Sequence, residues 1–374
     1  MGRLLAVAAL LCAAAWLVFA SGVVAPRARA PTPLQDFSAP FVFGRFEPPR
    51  DNPLTRESVE LGRRLFYDPR LSGNNTMSCS TCHVQRLAFT DGKRTAVGLS
   101  GTPLDFNTMS LANLMWGPRH FFWDGRVATL EEQALVPIQQ PDEMGQNLDE
   151  LVDELEQDEA YRALFDVAYG DITPRTVGAA LASFVRTLVS SNSRYDQFLR
   201  GEIALTEREE LGRKLFMAHP DVKASRRGAN CVDCHSQFLT SGFNTRFDGF
   251  MNNGLDAEAA LDAGLQAVTG RVEDRGRFKV PTLRNIALTA PYMHDGRFDT
   301  LEQVLDHYDA GIRKSRTLSP LIVEADNLHK TDADRISLNL NDEEKAAVIA
   351  FLHTLTDEEF VTAEQFSDPF QARR

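Results

Sequence analysis

Two pentapeptides of the same pattern, CSTCH and CVDCH, hold the side chains of this sequence that are best suited to chemistry. In order along the chain, the two motifs supply Cys79, Cys82, His83, Cys231, Cys234 and His235. Paired cysteines can form disulfides or bind zinc. A histidine directly after each pair is instead what covalent c-type haem requires, because two thiols attach the porphyrin while the adjacent imidazole binds its iron. The sequence therefore predicts two covalently bound haem c groups, with His83 and His235 as iron ligands.

A longer repeat surrounds these motifs. The segment FFWDGRVATLEEQALVP, which begins at Phe121, returns 171 positions later as YMHDGRFDTLEQVLDHY. Two positions change in character, since Trp123 becomes His294 and Pro137 becomes Tyr308. If the two halves share a fold, these residues lie at equivalent places relative to the two haems.

The exchange of Pro137 for Tyr308 bears on the iron ligands. Proline has no side-chain donor atom, whereas a tyrosine phenolate can bind haem iron. Tyr308 is therefore predicted as an axial ligand opposite His235. The alternatives are that Tyr308 only packs against its neighbours, or that Met293 or His307 takes its place.

The first haem is predicted to keep one open face. No methionine or histidine lies between His83 and Asn107. His120 is the only other histidine of the first half, and a partly exposed structural role explains it better than ligation. An open iron binds small ligands such as hydrogen peroxide, and cleavage of the O–O bond needs a base that moves a proton between the two oxygens.

Polar residues around Pro137 could serve that open face. Glu143 is the candidate base in the sequence IQQPDEM, with Asp142 as its rival, although such a pair is usually solvated surface. Gln133 lies one turn before Pro137 and offers a neutral hydrogen-bond donor. Trp123 is oxidisable and is predicted to face the second haem, although a buried aromatic anchor is the commoner fate of tryptophan.

The elements that position these residues are predicted to be mainly α-helical. The sequences LTRESVELGRRLF and LTEREELGRKLF precede the two haem motifs at similar spacing. Each half closes on an amphipathic helix, the first starting at Thr173 and Pro174 and the second capped by Asn341. We predict two tandem cytochrome c-type haem domains related by internal duplication, at residues 40–200 and 203–365. The Gly- and Asn-rich stretch SGFNTRFDGFMNNGLDAEAALDAG, about nineteen residues of which have no counterpart in the first half, is predicted as a surface loop.

Length and composition indicate an exported globular protein. The chain has 374 residues, of which 43% are hydrophobic and 25% are charged, and this suits two domains of ordinary size. Its net charge of -12 argues against nucleic acid as a partner. Residues 1–30 combine an early arginine, an apolar run that contains Cys12, and small residues at potential cleavage positions. They predict a signal peptide or an uncleaved N-terminal anchor, and hence a periplasmic location.

These motifs together resemble the bacterial dihaem cytochrome c peroxidase family, and within it the MauG-like enzymes. The resemblance spans about residues 50–360 and rests on LGRRLFYDPRLS, CSTCH, FFWDGRVATLEEQALVPI, PDEM, LGRKLF, CVDCH, FKVPTLRNIALTAPYMHDGR and LDHYDAG, in that order. The family's conventional peroxidases carry a methionine on the second haem and a loop histidine on the first. This sequence has Tyr308 at the methionine position and no histidine in the matching loop, which points to the MauG-like design without reductive activation.

The resemblance implies a role for each matched residue around the first haem. The haem bound by His83 is expected to react with hydrogen peroxide. Glu143 is expected to act as the distal acid-base, with Gln133 and Pro137 lining the pocket. Trp123 is expected to pass electrons between the haems.

The resemblance also implies a calcium ion between the domains, bound by the Asn107 side chain and the carbonyls of Thr289 and Pro291, which are hard oxygen ligands. The expected enzyme reduces hydrogen peroxide at the open haem and stores oxidising equivalents across both haems to oxidise a partner protein. One alternative is detoxification of peroxide with electrons from a small cytochrome c or a cupredoxin. Another is a non-enzymatic dihaem electron carrier.

Overall fold

A computed structural model describes residues 31–34, 43, 46–116, 120–221, 223–236, 249–326 and 336–371. The predicted signal peptide or anchor at residues 1–30 lies outside these ranges. Among the helices of the described ranges, none has the length and apolar character needed to cross a membrane.

The named elements of the first half of the described chain are all helices. Its helices are α1 (Arg56–Tyr67), α2 (Cys79–Cys82), α3 (Leu130–Gln139), α4 (Leu148–Gln157), α5 (Glu159–Ala168) and α6 (Pro174–Arg186). Single 3-10 turns occur at Pro69–Leu71, Gln85–Leu87 and Leu114–Trp116.

The second half repeats this character and adds one small sheet. Its helices are α7 (Arg194–Leu199), α8 (Glu207–Met217), α9 (Gln266–Thr269), α10 (Leu301–Asp306), α11 (Pro320–Glu324), α12 (Asp342–His353) and α13 (Glu358–Thr362). A π-helical turn, His307–Gly311, follows α10 directly. The 3-10 turns are Cys231–Asp233, Glu258–Ala260, Val272–Asp274, Ile286–Leu288 and Glu364–Phe366. Strand β1 (Phe250–Met251) pairs antiparallel with β2 (Phe278–Lys279). The predicted mainly α fold is confirmed.

Each half is built around the same pair of packed helices, α1 with α6 and α8 with α12. A glycine from the repeated LGR sequence lies at both crossings. A β-carbon on Gly62 would lie 1.9 Å from the carbonyl oxygen of Ala180, and one on Gly212 would lie 1.9 Å from that of Ala347. Only glycine allows backbones to approach this closely, so the duplication preserves a helix contact as well as a sequence.

The closing helices begin where the sequence predicts. The hydroxyl of Thr173 accepts a hydrogen bond of 3.2 Å from the amide of Thr176 at the start of α6. The side chain of Asn341 accepts one of 2.9 Å from the amide of Glu344 at the start of α12. The predicted start at Thr173 and Pro174 and the predicted N-cap Asn341 are both confirmed, because capping depends on residues close in sequence.

Buried apolar side chains form two clusters. The first gathers the helices of the first half around side chains such as Phe66 and Phe184, and the second gathers those of the second half around Phe216 and Phe351. Phe360 of α13 packs into the first cluster although it lies near the end of the second repeat. The C-terminal segment therefore ties the two halves together.

The prediction of a surface loop after the second haem motif is wrong for residues 249–255. Six of these seven residues are buried and the seventh, Asn253, is half-buried. Phe250 and Met251 form β1, and the side-chain nitrogen of Asn252 donates to the hydroxyls of Ser315 (3.0 Å) and Thr317 (2.9 Å). Contacts with residues distant in sequence bury this polar stretch. The preceding part of the predicted loop, residues 241–248, lies outside the described ranges.

Candidate functional site

The first haem motif forms a single helical turn that ends in its histidine. Cys79 and Cys82 begin and end α2, and His83 caps it. The Nδ1 atom of His83 is 2.8 Å from the carbonyl oxygen of Phe89. This bond fixes the ring and leaves Nε2 for a metal, as second-sphere bonds to haem-ligating histidines do. Burial lowers the pKa of His83, which favours the neutral imidazole that iron requires.

Helix α3 and the turn after it carry the residues predicted around the open face. Gln133 and Pro137 lie on α3 and are half-buried. Burial raises the pKa of Glu143, while the charge of Arg126 opposes that rise. Burial also raises the pKa of the Cys82 thiol to about 11, and the charge of Glu143 contributes to that rise. Glu143 therefore lies close enough to the first haem motif to influence it electrostatically.

Exposure separates two alternatives left by the sequence. Asp142 is exposed, whereas its neighbour Glu143 is half-buried. The backbone of Asp142 faces Gly98, where an added β-carbon would lie 1.7 Å from the Asp142 carbonyl oxygen. His120 is exposed as well, in keeping with the structural role predicted for it. Glu143 is thus the better placed of the two carboxylates.

The second haem motif opens into a cavity of about 190 Å³ with mostly apolar walls. The predicted iron-binding and haem-attaching residues that line it are Cys231, Cys234, His235 and Tyr308. The Nδ1 atom of His235 is 3.1 Å from the carbonyl oxygen of Pro281, and burial lowers the pKa of His235 to about 4. The structure brings the attachment cysteines and the predicted axial tyrosine into one space.

Tyr308 enters this cavity from the π-helical turn. Turns of this kind insert an extra residue into a helix and are frequent at functional sites. Burial raises the pKa of the Tyr308 hydroxyl to about 12, and a hydrogen bond of 3.3 Å from Asn253 Nδ2 partly offsets the rise. A bound ferric ion can remove such a proton, because a metal charge inverts the local preference for the neutral form.

Met293 and His307, the two alternatives to Tyr308 as the axial ligand of the second haem, are placed differently. Met293 also lines the cavity, and its sulfur lies 3.4 Å from Asn253 Nδ2. The Nε2 atom of His307 is 3.2 Å from the backbone oxygen of Asn253, and among the described residues that line the cavity His307 does not appear. Asn253 was missed by the sequence analysis, and the paired asparagines of its MNNG sequence were the only available signal.

Trp123 lies buried between the two halves, with 8% of its surface exposed. Its indole Nε1 donates a hydrogen bond of 2.9 Å to the carbonyl of Asn107. Its ring meets that of His294 edge-on, with 6.5 Å between centroids, and both residues line the second haem cavity. His294 stacks on Phe278 with 3.6 Å between ring centroids. The two residues that the repeat exchanges therefore face each other.

Reciprocal backbone bonds join the halves at this point. The backbone amide of Asn107 donates to the carbonyl of His294 at 2.8 Å. The backbone amide of Lys279 donates to the carbonyl of Trp123 at 2.9 Å. Asn107 and Lys279 occupy equivalent places in the repeat, one residue after Phe106 and Phe278 respectively. The contact thus has approximate two-fold symmetry.

A second cavity, of about 80 Å³, lies at this contact and is lined by all three predicted calcium ligands, Asn107, Thr289 and Pro291. The side-chain nitrogen of Asn107 donates to the carbonyls of Lys93 (2.9 Å) and Arg94 (3.2 Å). Its amide oxygen is the side-chain atom left to bind a cation. Three neutral oxygens suit a hard cation that keeps some of its water.

The residues present fit two c-type haems, since each motif pairs two free thiols with an imidazole whose Nδ1 is already engaged. A sequence profile described as Di-haem cytochrome c peroxidase matches residues 56–204. The methylamine utilization protein MauG of Methylorubrum extorquens is 38% identical over 83% of this chain and 81% of its own length. The chain belongs to the dihaem cytochrome c peroxidase and MauG family.

Other members of the family are similarly close. Cytochrome c551 peroxidase of Nitrosomonas europaea is 33% identical over 82% of each chain. Cytochrome c peroxidase Ccp of Escherichia coli is 35% identical over 68% of this chain and 53% of its own. The crystal structure of a MauG-like protein associated with microbial copper homeostasis is 38% identical, with a TM-score of 0.78 over 90% of this chain and 99% of that one.

Family membership establishes a haem-dependent oxidoreductase with two haem c groups. The non-enzymatic electron carrier considered from the sequence is therefore set aside. Members named MauG and members named peroxidase have similar identity to this chain, so the choice between those two roles depends on the residues of the site.

Proposed function

We propose that this chain is a MauG-like enzyme of the periplasm, which uses hydrogen peroxide to oxidise a partner protein and stores the oxidising equivalents across its two haems. The observation that carries this proposal is Tyr308, which shares one cavity with Cys231, Cys234 and His235. The identity of 38% both to a MauG and to the MauG-like protein of known structure supports it.

The bound haems supply the iron chemistry, namely reaction with peroxide and the exchange of single electrons. Pro137 on α3 has no side-chain donor atom, so it would leave the iron site of the first haem free for peroxide. Glu143, whose pKa burial raises, takes a proton from one peroxide oxygen and returns it to the other, which leaves as water. Gln133 on α3 would offer peroxide a neutral hydrogen-bond donor.

Trp123 and Tyr308 serve the second haem. The bond from Trp123 Nε1 to the Asn107 carbonyl fixes the indole between the halves, where it passes one electron at a time. Tyr308 would hold the haem iron as its phenolate, whose negative charge and hard oxygen would favour a highly oxidised metal. Asn107, Thr289 and Pro291 bind one calcium ion beside this relay.

The test is to add one equivalent of hydrogen peroxide to the fully ferric protein without reductant and to follow both haems by electron paramagnetic resonance. We expect both ferric signals to disappear together and to return slowly. The Tyr308→His variant should keep its haem content and lose this shared response. A Tyr292→Phe variant, which removes a buried hydroxyl of the same cavity that donates to the Ile286 carbonyl, is the matched control.

The second candidate is a peroxidase fed by a small cytochrome c or a cupredoxin, favoured by the similarity to the Nitrosomonas europaea and Escherichia coli peroxidases. It requires steady consumption of peroxide with a reduced cytochrome or cupredoxin as donor. A ferric protein that ignores peroxide until one haem has been reduced would establish this role and overturn the proposal.

A further inference from the structure

Lys279 is a buried lysine of strand β2. Only 6% of its surface is exposed, and within the described ranges it forms no ion pair. Its ammonium lies 4.3 Å from the centroid of the Phe250 ring, on the strand opposite. An unpaired ammonium is costly to bury, and lysine is rarely found fully buried unless it is paired. A lysine in this environment therefore calls for a functional explanation.

The position of Lys279 connects it to the electron relay. Its amide bonds to the Trp123 carbonyl at 2.9 Å. Lys279 and Trp123 both line the cavity of the second haem motif and the smaller cavity at the contact of the two halves. The equivalent residue of the first half is Asn107, which is neutral. The second half thus places an ionisable group where the first half has none.

The surroundings of Lys279 make its charge changeable near neutral pH. Burial lowers the pKa of Lys279 to about 7, and the nearby carboxylate of Asp124 only partly opposes this effect. Asp124 is itself bound at 3.0 Å by the guanidinium of Arg126. The neighbouring ring of His294 is neutral in character, because burial lowers its pKa also.

We propose that Lys279 is a positioning residue whose charge determines how readily Trp123 gives up an electron. As a relay, Trp123 would give up one electron and then regain one. Between the loss and the return of the electron, the indole would carry one additional positive charge, which an ammonium that lines the same two cavities destabilises and a neutral amine does not. This inference deepens the proposed function and rests on it. The relay then works best when Lys279 is neutral.

The first test compares the response to peroxide of wild type and Lys279→Met between pH 6 and pH 9. In wild type, the joint loss of both ferric signals should weaken as the pH falls through about 7, the pKa of Lys279. In Lys279→Met the joint response should persist over the whole range. Lys279→Arg, which keeps the charge at every pH, should weaken it throughout. Lys214→Met, at a largely exposed lysine, is the matched control.

A second readout does not depend on peroxide. A lysine whose folded pKa is lowered binds fewer protons folded than unfolded, between its folded value of about 7 and its ordinary 10.5. Its contribution to stability therefore rises with pH across that window. The thermal midpoint of wild type relative to Lys279→Met should increase from pH 7 to pH 10, with the haem content of each variant measured first.

The outcomes separate this inference from the proposed function. If wild type and Lys279→Met share oxidising equivalents with the same pH dependence, the role of Lys279 is overturned and the relay stands. If neither shares them at any pH, the proposed function fails and the inference fails with it. A thermal midpoint difference that does not change with pH would show that Lys279 keeps its charge, and this too would overturn the inference.

Discussion

The hydroxyl of Tyr308 lies 3.3 Å from the side-chain nitrogen of Asn253. That nitrogen is also 3.4 Å from the sulfur of Met293, and the backbone oxygen of Asn253 is 3.2 Å from Nε2 of His307. One residue thus contacts all three side chains that the sequence offers as a second axial ligand. Asn253 belongs to the insertion that the first half lacks, so the proposed ligand and the residue that bonds to it are both specific to the second half.

Replacing Asn253 should change the ionisation of Tyr308. The hydrogen bond from Asn253 lowers the pKa of Tyr308 against the larger effect of burial. In Asn253→Ala, the spectrum of the tyrosinate-bound ferric haem should therefore form at a higher pH than in wild type. Optical titration of the ferric protein measures the midpoint. The exposed Asn74 provides a control variant, Asn74→Ala, and an unchanged midpoint in Asn253→Ala would exclude this contact as an influence on the ligand.

Glu143 and Asp142 offer a matched pair for testing proton transfer. Glu143 is half-buried beside the first haem motif, whereas Asp142 is exposed. Glu143→Gln should slow the reaction with peroxide by about 10²–10⁴-fold, the usual contribution of a general acid-base. Asp142→Asn should leave the rate close to that of wild type. Stopped-flow mixing with peroxide gives both rates, and equal losses in the two variants would remove Glu143 from the mechanism.

Arg126 should set the pH dependence of the same step. Burial raises the pKa of Glu143, and the charge of Arg126 holds that rise in check. The base works only when deprotonated, so the rate falls as the pH falls through its pKa. Arg126→Leu should move this loss to higher pH, and Arg126→Lys should largely restore the wild-type profile. A profile that does not move in Arg126→Leu would mean that the two charges do not interact.

Calcium binding can be tested at Asn107, whose amide oxygen is available in the cavity that Thr289 and Pro291 also line. Protein dialysed against buffer with calcium and then passed through a desalting column should retain about one ion per chain. Asn107→Ala should retain less, and Asn74→Ala should match wild type. Plasma emission spectroscopy measures the content. If Asn107→Ala retained as much calcium as wild type, the ion would have to bind at another site.

The parts of the site that the sequence predicts are those fixed by short-range chemistry or by the repeat. The haem motifs are contiguous, the N-caps Thr173 and Asn341 bond to residues three positions away, and Tyr308 stands out only because its equivalent in the first half is Pro137. Local sequence could not separate Glu143 from Asp142, since these are neighbours whose exposure depends on a turn packed against Gly98.

Long-range contacts account for what the sequence analysis missed. The sequence analysis did not predict the π-helical turn that follows α10. Asp309 in this turn accepts hydrogen bonds from the amide of Leu340 and the hydroxyl of Ser337 and pairs with Lys345. These partners are distant in sequence, and so are Ser315 and Thr317, which bond to the buried side chain of Asn252. No local sequence pattern therefore predicts these contacts.

Arg284 provides a last prediction, on stability. Its guanidinium makes two bonds, of 2.7 and 2.8 Å, to the carboxylate of Asp196, and both side chains are almost fully buried. Despite burial, which acts in the opposite direction, the bonds from Arg284 and Ser193 hold the pKa of Asp196 below its usual range. The stabilisation is therefore present above the ordinary pKa of an aspartate, about 4, and is lost as the pH falls below it.

Arg284→Met leaves the Asp196 carboxylate buried without the cation that it pairs with, which typically costs about 3–5 kcal/mol. We expect a loss of that size in the free energy of unfolding of the second half at pH 7, measured by urea denaturation of the haem-loaded protein. Arg175→Met is the matched control, because Arg175 and Asp51 form an exposed pair at 3.8 Å with side chains 74% and 77% accessible, and such pairs contribute little. Equal losses in the two variants would show that the buried pair of Arg284 and Asp196 contributes no more to stability than the exposed pair.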